Sequence, residues 1–274
     1  MSVHFTILGA SGFIGSNLVD YLNNQGYECD APVKSDDTIF SKSLGHVIYA
    51  IGLTADFRTR PLDTVEAHVC ILRRLIQEGR FESLTYLSST RVYSDSKSTS
   101  ETASLVVNPY KFDDLYNISK LMGESLCLHG GQSNVKVIRL SNIVGLRRDS
   151  DLFIDQLLEE GYATGCINLH TALNSKKDYL YIDDAVALIK AIALSSKGGI
   201  FNVASGEGVE NRQIVHFLES EMGFPTSVCI DAPVWDFVQI DTTKVCDEFG
   251  FNPRKFSDYF PSYLNLVRQI KDSK

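Results

Sequence analysis

The chain has 274 residues, 44% hydrophobic and 22% charged, enough to bury the core of one large domain or of a domain with a smaller lobe. A formal net charge of −8 with no local Lys/Arg block argues against nucleic acid and against an anionic membrane surface as partners. Apolar runs too short to span a bilayer, six scattered cysteines without a C-x-x-C pair and six histidines without ligand spacing argue against a membrane segment, a disulfide framework and a metal site.

In chain order, residues 3–8 form an apolar run that predicts a buried strand, and residues from 13 on carry apolar positions at 14, 18, 21 and 22, the spacing of a helix. Between them lies Gly9-Ala10-Ser11-Gly12-Phe13-Ile14-Gly15. Strand, glycine turn and helix is the layout of a dinucleotide site, with the helix N-terminus offering N–H groups and partial positive charge to phosphates. Gly9 suits a conformation closed to other residues, Gly12 a close approach to a pyrophosphate, and Gly15 close packing of the helix. Three glycines at this spacing alone also suit a purely structural turn.

A short second strand is expected over 26–30, and Asp30 at its end is the candidate acceptor for the adenosine ribose hydroxyls, with Asp36 and Asp37 behind it. A solvated acidic turn is the plain alternative. An acid here favours NAD, while Lys34 nearby leaves NADP open. Only about fifteen residues precede the next strand, 45–50, too few for a full β-α-β crossover. That strand ends in Ala50-Ile51-Gly52, small enough to pass close to a cofactor. Residues 61–78 read as a helix, and the strand 84–87 runs into Ser88-Ser89-Thr90, a hydroxyl cluster at a strand's carboxyl end where open α/β sheets hold ligands.

A helix over 110–129 carries Tyr116 and Lys120, four apart and therefore on one face, with Leu115, Ile118, Met122 and Leu126 on a face suited to the core. The strand 135–140 leads into Ser141-Asn142-Ile143-Val144-Gly145. A short helix 151–160, a strand 166–169, a strand 178–181 and a helix to about 194 capped by Asp183 come next. The strand 199–203 is expected to rejoin the main sheet, and the rest reads as helix 210–222, strand 226–231, helix 241–249 and helix 257–271.

Taken together, these pieces resemble the extended short-chain dehydrogenase/reductase family, in its nucleotide-sugar epimerase/dehydratase branch, over nearly the whole chain. Gly9-x-x-Gly12-x-x-Gly15 resembles the family's cofactor loop, and Leu87-Ser88-Ser89-Thr90-Arg91-Val92-Tyr93 its strand-end serine segment. Tyr116-x-x-x-Lys120 resembles its catalytic pair, and residues 139–145 the segment whose asparagine, here Asn142, touches the substrate diphosphate. Residues 177–184 and 201–206 resemble two further landmarks. The departures are His68 in place of a usual asparagine, Ile71 in place of a glycine, Lys177 in place of a common arginine, and no arginine near Trp235-Asp236.

The resemblance implies a Rossmann-type doubly wound parallel sheet with a smaller, mostly C-terminal α/β lobe. Residues 1–145 and about 178–204 would bind the dinucleotide; about 146–177 and 205–274 would bind substrate. It implies Ser89, Tyr116 and Lys120 as catalytic residues. Cofactor contacts would come from Gly9, Ser11, Gly12, Phe13, Ile14, Gly15, Asp30, Ala50, Ile51, Gly52, Leu87, Tyr116 and Lys120, and substrate contacts from Thr90, Asn142 and Lys177. The cofactor is NAD, with NADP not excluded. Tyrosine, with an ordinary pKa of about 10, is a poor base until a nearby cation stabilises its phenolate, the part Lys120 would take. The expected activity is epimerisation of a nucleotide-linked sugar by hydride transfer, at C4. A 4-keto reductase is the rival, and a non-catalytic NAD(P)-binding sensor or scaffold the alternative of another class. Thr90 and Arg91 stand where a 4,6-dehydratase commonly carries an Asp-Glu pair, which argues against dehydration. A homodimer through an apolar face of the Tyr116 helix and a cytoplasmic location complete the expectation.

Overall fold

The computed structural model describes residues 3–54, 56–146 and 152–273. Six parallel strands form the central sheet: β1 (His4–Leu8), β2 (Glu28–Asp30), β3 (His46–Tyr49), β4 (Ser83–Ser89), β5 (Val135–Leu140) and β9 (Gly199–Val203), in the order β2-β1-β3-β4-β5-β9. Strand β9 pairs with β5, so the chain does return to the main sheet there, as its pattern predicts. Because the chain leaves β1 for β2 on one side and comes back to β3 on the other, a crevice opens at the carboxyl ends of β1 and β3.

Both faces of this sheet are covered, so that polar side chains of its strands, among them Thr85, Lys136 and Asn202, are buried with the apolar ones. On one face Phe5, Ile7, Ile48 and Ile138 pack against α1 (Phe13–Asn24) and α6 (Ile182–Leu194). On the other, Leu8, Tyr49, Leu84 and Val137 pack against α3 (Ile71–Glu78) and α4 (Asp114–His129). The trimmed crossover between β2 and β3 holds only a 3-10 turn, Asp37–Phe40, capped by the Asp36 side chain.

A second sheet sets β6 (Asn142–Val144) and β10 (Gly208–Glu210) on either side of β8 (Lys176–Tyr181), and β7 (Ile167–Leu169) pairs with β11 (Thr226–Val228). Their core is shared with α5 (Phe153–Thr164), α7 (Asn211–Met222) and α9 (Phe256–Asp272), where Phe256, Phe260 and Tyr263 stack in series. Helix α8 (Thr243–Phe249) packs on β9. Asp151, expected to start the α5 helix, lies outside the described residues. No helix of the described residues is long and apolar enough to cross a membrane.

Two local expectations need correction, at α4 and at α6. The helix expected over 61–78 keeps those bounds, with α2 (Pro61–Val65) passing through a π turn, Glu66–Cys70, into α3. Within that wide turn Ala67 O accepts the Tyr49 hydroxyl at 2.6 Å and His68 O the Tyr86 hydroxyl at 3.4 Å, so tyrosines of the sheet satisfy the turn's backbone. Helix α4 starts at Asp114 rather than at 110, because the Asn108 side chain accepts from the Tyr110 N–H and the Asp114 carboxylate from the Asn108 N–H, holding 108–113 in turns. Asp183 does not cap α6. It lies in the first helical turn, where it and Asp184 meet the Arg254 guanidinium.

The burial of α4 also reverses the expected face. Tyr116, Lys120, Gly123, Glu124 and Cys127 face the sheet, whereas Met122 is 51% exposed and Leu115, Ile118 and Leu126 are half-buried. Gly123 permits this approach, since a Cβ there would lie 2.5 Å from the Tyr86 hydroxyl.

Candidate active site

The glycine turn is shaped by its neighbours. Gly9 has φ +92°, and a Cβ on it would lie 2.7 Å from the carbonyl carbon of Ala50. A Cβ on Gly15 would lie 2.2 Å from Gly9 O, so the start of α1 nests against the turn itself. Gly12 caps α1 and brings no side chain to its first N–H groups. The turn thus abuts Ala50-Ile51 at the end of β3, with Ser11, Phe13 and Ile14 along the same mouth. This cradle, with no side-chain cap at the start of α1, fits the pyrophosphate of a dinucleotide. Asp30, at the end of β2, is half-exposed, and its carboxylate lies 3.5 Å from both His4 Nε2 and Lys42 Nζ.

From the cradle the crevice leads to a buried polar cluster. Lys120 Nζ donates to Leu87 O at 2.9 Å and lies 5.9 Å from the centre of the Tyr116 ring. Gly52 connects the two regions: a Cβ there would lie 3.4 Å from Lys120 Nζ and 3.1 Å from His68 Nε2. Ser89 ends β4 and accepts from the Arg91 N–H at 3.2 Å, which fixes the 3-10 turn Thr90–Tyr93 directly after it. The Ser89 hydroxyl also lies close enough to the Tyr116 phenol to favour its ionised form.

Burial sets the charges of this cluster. It pushes the Tyr116 hydroxyl up, while the nearby Ser89 hydroxyl and the charge of Arg91 pull it back. It brings the Lys120 ammonium down to about 7, with Glu124 opposing. His68, at no exposed surface and 5.3 Å from Tyr116 edge to face, is pushed down to about 2 by burial and by Lys120, so it is a neutral imidazole. Its Nδ1 meets Ser119 Oγ at 2.9 Å and its Nε2 faces the Leu53 N–H at 3.4 Å.

The structure therefore brings together Ser89, Tyr116, Lys120 and Leu87 beside the glycine cradle and residues 50–52. Thr90 adjoins them, its hydroxyl 3.5 Å from Leu140 O. Asn142 and Lys177 stand apart on the second sheet. Asn142 is exposed and donates to Asp178 O at 2.8 Å. The Lys177 ammonium lies 4.6 Å from the Phe153 ring and 5.1 Å from the Trp235 ring, and burial, with a further push from the nearby Arg91 charge, brings it down to about 8. Two residues of the cluster escape sequence reasoning as site residues. His68 shows only as a departure from a family pattern. Arg91 shows only as a residue standing, with Thr90, where a dehydratase commonly carries an Asp-Glu pair.

Comparison with known proteins gives the same frame. A model of the NAD dependent epimerase/dehydratase family matches residues 5–204. The dTDP-4-dehydro-6-deoxyglucose reductase of Escherichia coli is 24% identical over 70% of this chain, and the match spans 63% of that reductase's length. The dTDP-glucose 4,6-dehydratase of Streptomyces griseus is 25% identical over 92% of this chain and 90% of its own. Among solved structures, a UDP-glucuronic acid 4-epimerase from Bacillus cereus in complex with UDP-glucuronic acid and NAD superposes with a TM-score of 0.81 at 16% identity, covering 97% of this chain and 99% of that one.

Proposed function

The chain belongs to the NAD-dependent epimerase/dehydratase family, and we propose that within it the protein epimerises a nucleotide-linked sugar at C4, with NAD as cofactor. The observation that supports this most is the convergence of Ser89, Tyr116 and Lys120 at the mouth of the glycine cradle. A reductase, a dehydratase and an epimerase all stand among the relatives and structural neighbours, so the centre alone does not choose between these reactions. Dehydration needs a further acid to release water. Ser89 is succeeded by Thr90 and Arg91, neither of which can protonate a leaving hydroxyl at neutral pH.

When bound, NAD supplies the hydride acceptor. The cradle at Gly9, Ser11, Gly12, Phe13, Ile14 and Gly15 would hold its pyrophosphate, Asp30 its adenosine ribose, and Ala50, Ile51, Gly52 and Leu87 would flank it. Tyr116 Oη would remove the proton of the reacting hydroxyl and later return it. The Ser89 hydroxyl would donate to the same oxygen and keep it aligned with Tyr116. The Lys120 ammonium, anchored on Leu87 O, would stabilise the phenolate and meet the nicotinamide ribose. Thr90, Asn142 and Lys177 would hold the sugar and its diphosphate.

The same proposal divides the chain into a dinucleotide-binding part, 1–145 with about 178–204, and a substrate lobe, about 146–177 with 205–274. It also includes a homodimer through the outward face of α4. There Leu115, Ile118, Met122 and Phe112 line an apolar groove with Val65 and Val69.

A 4-keto reductase is the second reading, favoured by the reductase among the relatives. Denaturing the purified protein and identifying the released nucleotide by mass and absorbance separates the two. Near-stoichiometric NAD is expected for an enzyme that recycles its cofactor in place. A site that takes up NADH or NADPH only when supplied points to the reductase, and no dinucleotide binding at all sinks both.

A further inference from the structure

We propose that Arg91 is a positioning residue of the reaction centre, the fixed positive charge that holds the Tyr116 phenolate. The geometry is specific to this chain's own side chains. The turn that anchors Ser89 also sets Arg91, because the Arg91 N–H is the donor to Ser89 Oγ. The guanidinium lies 5.5 Å from the centre of the Tyr116 ring and 5.0 Å from that of Phe57, and Phe57 itself packs on Tyr116 at 5.3 Å. Arg91 Nη2 donates to Asp113 Oδ2 at 3.1 Å, which pins the side chain across the mouth of the site.

Asp113 does not cancel that charge. It is taken at both oxygens by Arg58, whose Nε and Nη2 donate at 2.7 and 2.8 Å. Two guanidinium groups share one carboxylate, so the cluster keeps one net positive charge beside the phenol. Its field reaches both ways: it favours the ionised form of Tyr116 and disfavours the charged form of Lys177.

The other groups around Tyr116 are less able to fill this part. His68, from the π turn, is neutral. Tyr86, beneath on β4, is buried and un-ionised. Lys120, on the same helix, loses part of its charge at neutral pH because burial brings it to about 7, and its ammonium is held against Leu87 O and partly offset by Glu124. The Lys177 ammonium lies over the Phe153 and Trp235 rings. A guanidinium, by contrast, keeps its charge over the whole working range.

The inference rests on Tyr116 being the proton-transfer group, but its test needs no turnover. Tyr116 is replaced by 3,5-difluorotyrosine, whose phenol ionises low enough to titrate, and its 19F shift is tracked against pH in otherwise wild-type protein, in Arg91→Gln and in Arg91→Lys. Arg91→Gln is expected to raise the midpoint by about one pH unit, roughly a tenfold loss of phenolate. Arg91→Lys, which keeps the charge and loses the fork, is expected to raise it by clearly less. An unchanged midpoint in Arg91→Gln overturns the proposal. Equal shifts in both variants overturn it too, since the effect is then one of shape and not of charge. If Arg91→Gln does not fold, the Arg91→Lys midpoint decides: within half a unit of wild type it supports the charge, beyond that it overturns it. A protein that turns over no nucleotide sugar but shows the Arg91-dependent shift would sink the proposed function and leave this inference standing.

Discussion

Helix α4 carries two buried polar clusters, centred about two turns apart at Tyr116 and Glu124 and built on opposite terms. At Glu124 every need is met. Its carboxylate accepts from Ser88 Oγ at 2.5 Å and from Arg139 Nε and Nη2 at 2.7–3.2 Å, and Arg139 Nη1 donates to the Tyr93 hydroxyl, which in turn donates to Asn202 Oδ1. At Tyr116 the needs are left open: a phenol out of water, an ammonium whose three donors meet the single acceptor Leu87 O among the described residues, and a guanidinium with half a carboxylate. A closed network in low dielectric fixes a structure, while an open one is destabilised until something completes it. The first cluster reads as the clamp that seats α4 on the sheet, and the second as the part seated for use.

That contrast fails if the two clusters respond alike to mutation. The largest effect is expected for Tyr116→Phe, which removes one oxygen from the open cluster. Turnover should fall by about 10²–10⁴-fold, while the thermal midpoint and the NAD affinity stay close to wild type. Unchanged turnover would break the assignment of Tyr116. Glu124→Ala should do the reverse in kind. It strands Arg139, which is 3% exposed, at a cost of about 3–5 kcal/mol in urea unfolding. Glu124→Gln, which keeps an acceptor for Arg139 and Ser88, should cost less. If Glu124→Ala unfolds no more easily than wild type, the clamp is not a clamp.

The sequence carried the frame of this comparison and not its filling. Gly9 and Gly15 were legible because the close approaches at the turn leave no room for a side chain, and strand β9 was legible by its apolar residues Ile200, Phe201 and Val203, although it also buries Asn202. Ser89, Tyr116 and Lys120 were legible by order along the chain. The face of α4 was not. Apolar periodicity pointed to Leu115, Ile118, Met122 and Leu126, and that rule assumes that buried means apolar. Here the sheet side takes Lys120 and Glu124, because Leu87 O, Ser88 and Arg139 lie opposite them, partners that only the register of β4 against β5 brings into place. The π turn was hidden for a similar reason: Tyr49 and Tyr86, far off in sequence, satisfy its carbonyls.

The smallest effect is the sharpest test of the open cluster, and its sign is set by Lys120. In the unfolded chain this ammonium has the ordinary lysine value of 10.5, and in the folded protein burial brings it to about 7. Below about pH 7 both states hold the proton and the folded state bears the full penalty of a buried charge. Between about 7 and 10.5 the unfolded chain binds the proton and the folded one does not, so stability contributed by this site rises with pH; above 10.5 neither is charged and the penalty is gone. Lys120→Met has no proton to bind and lacks that rise. It also leaves Leu87 O without its donor, a cost of about 1–3 kcal/mol that does not depend on pH. The prediction therefore concerns slope. In urea titrations of the cofactor-free protein from pH 6 to 10, wild type should gain stability relative to Lys120→Met as pH rises. Lys136 and Lys177, which burial also brings to about 8, cancel in that difference because both proteins keep them. A pH-independent difference would mean that Lys120 is already neutralised by its surroundings, and the distinction between a closed and an open cluster on α4 would go with it.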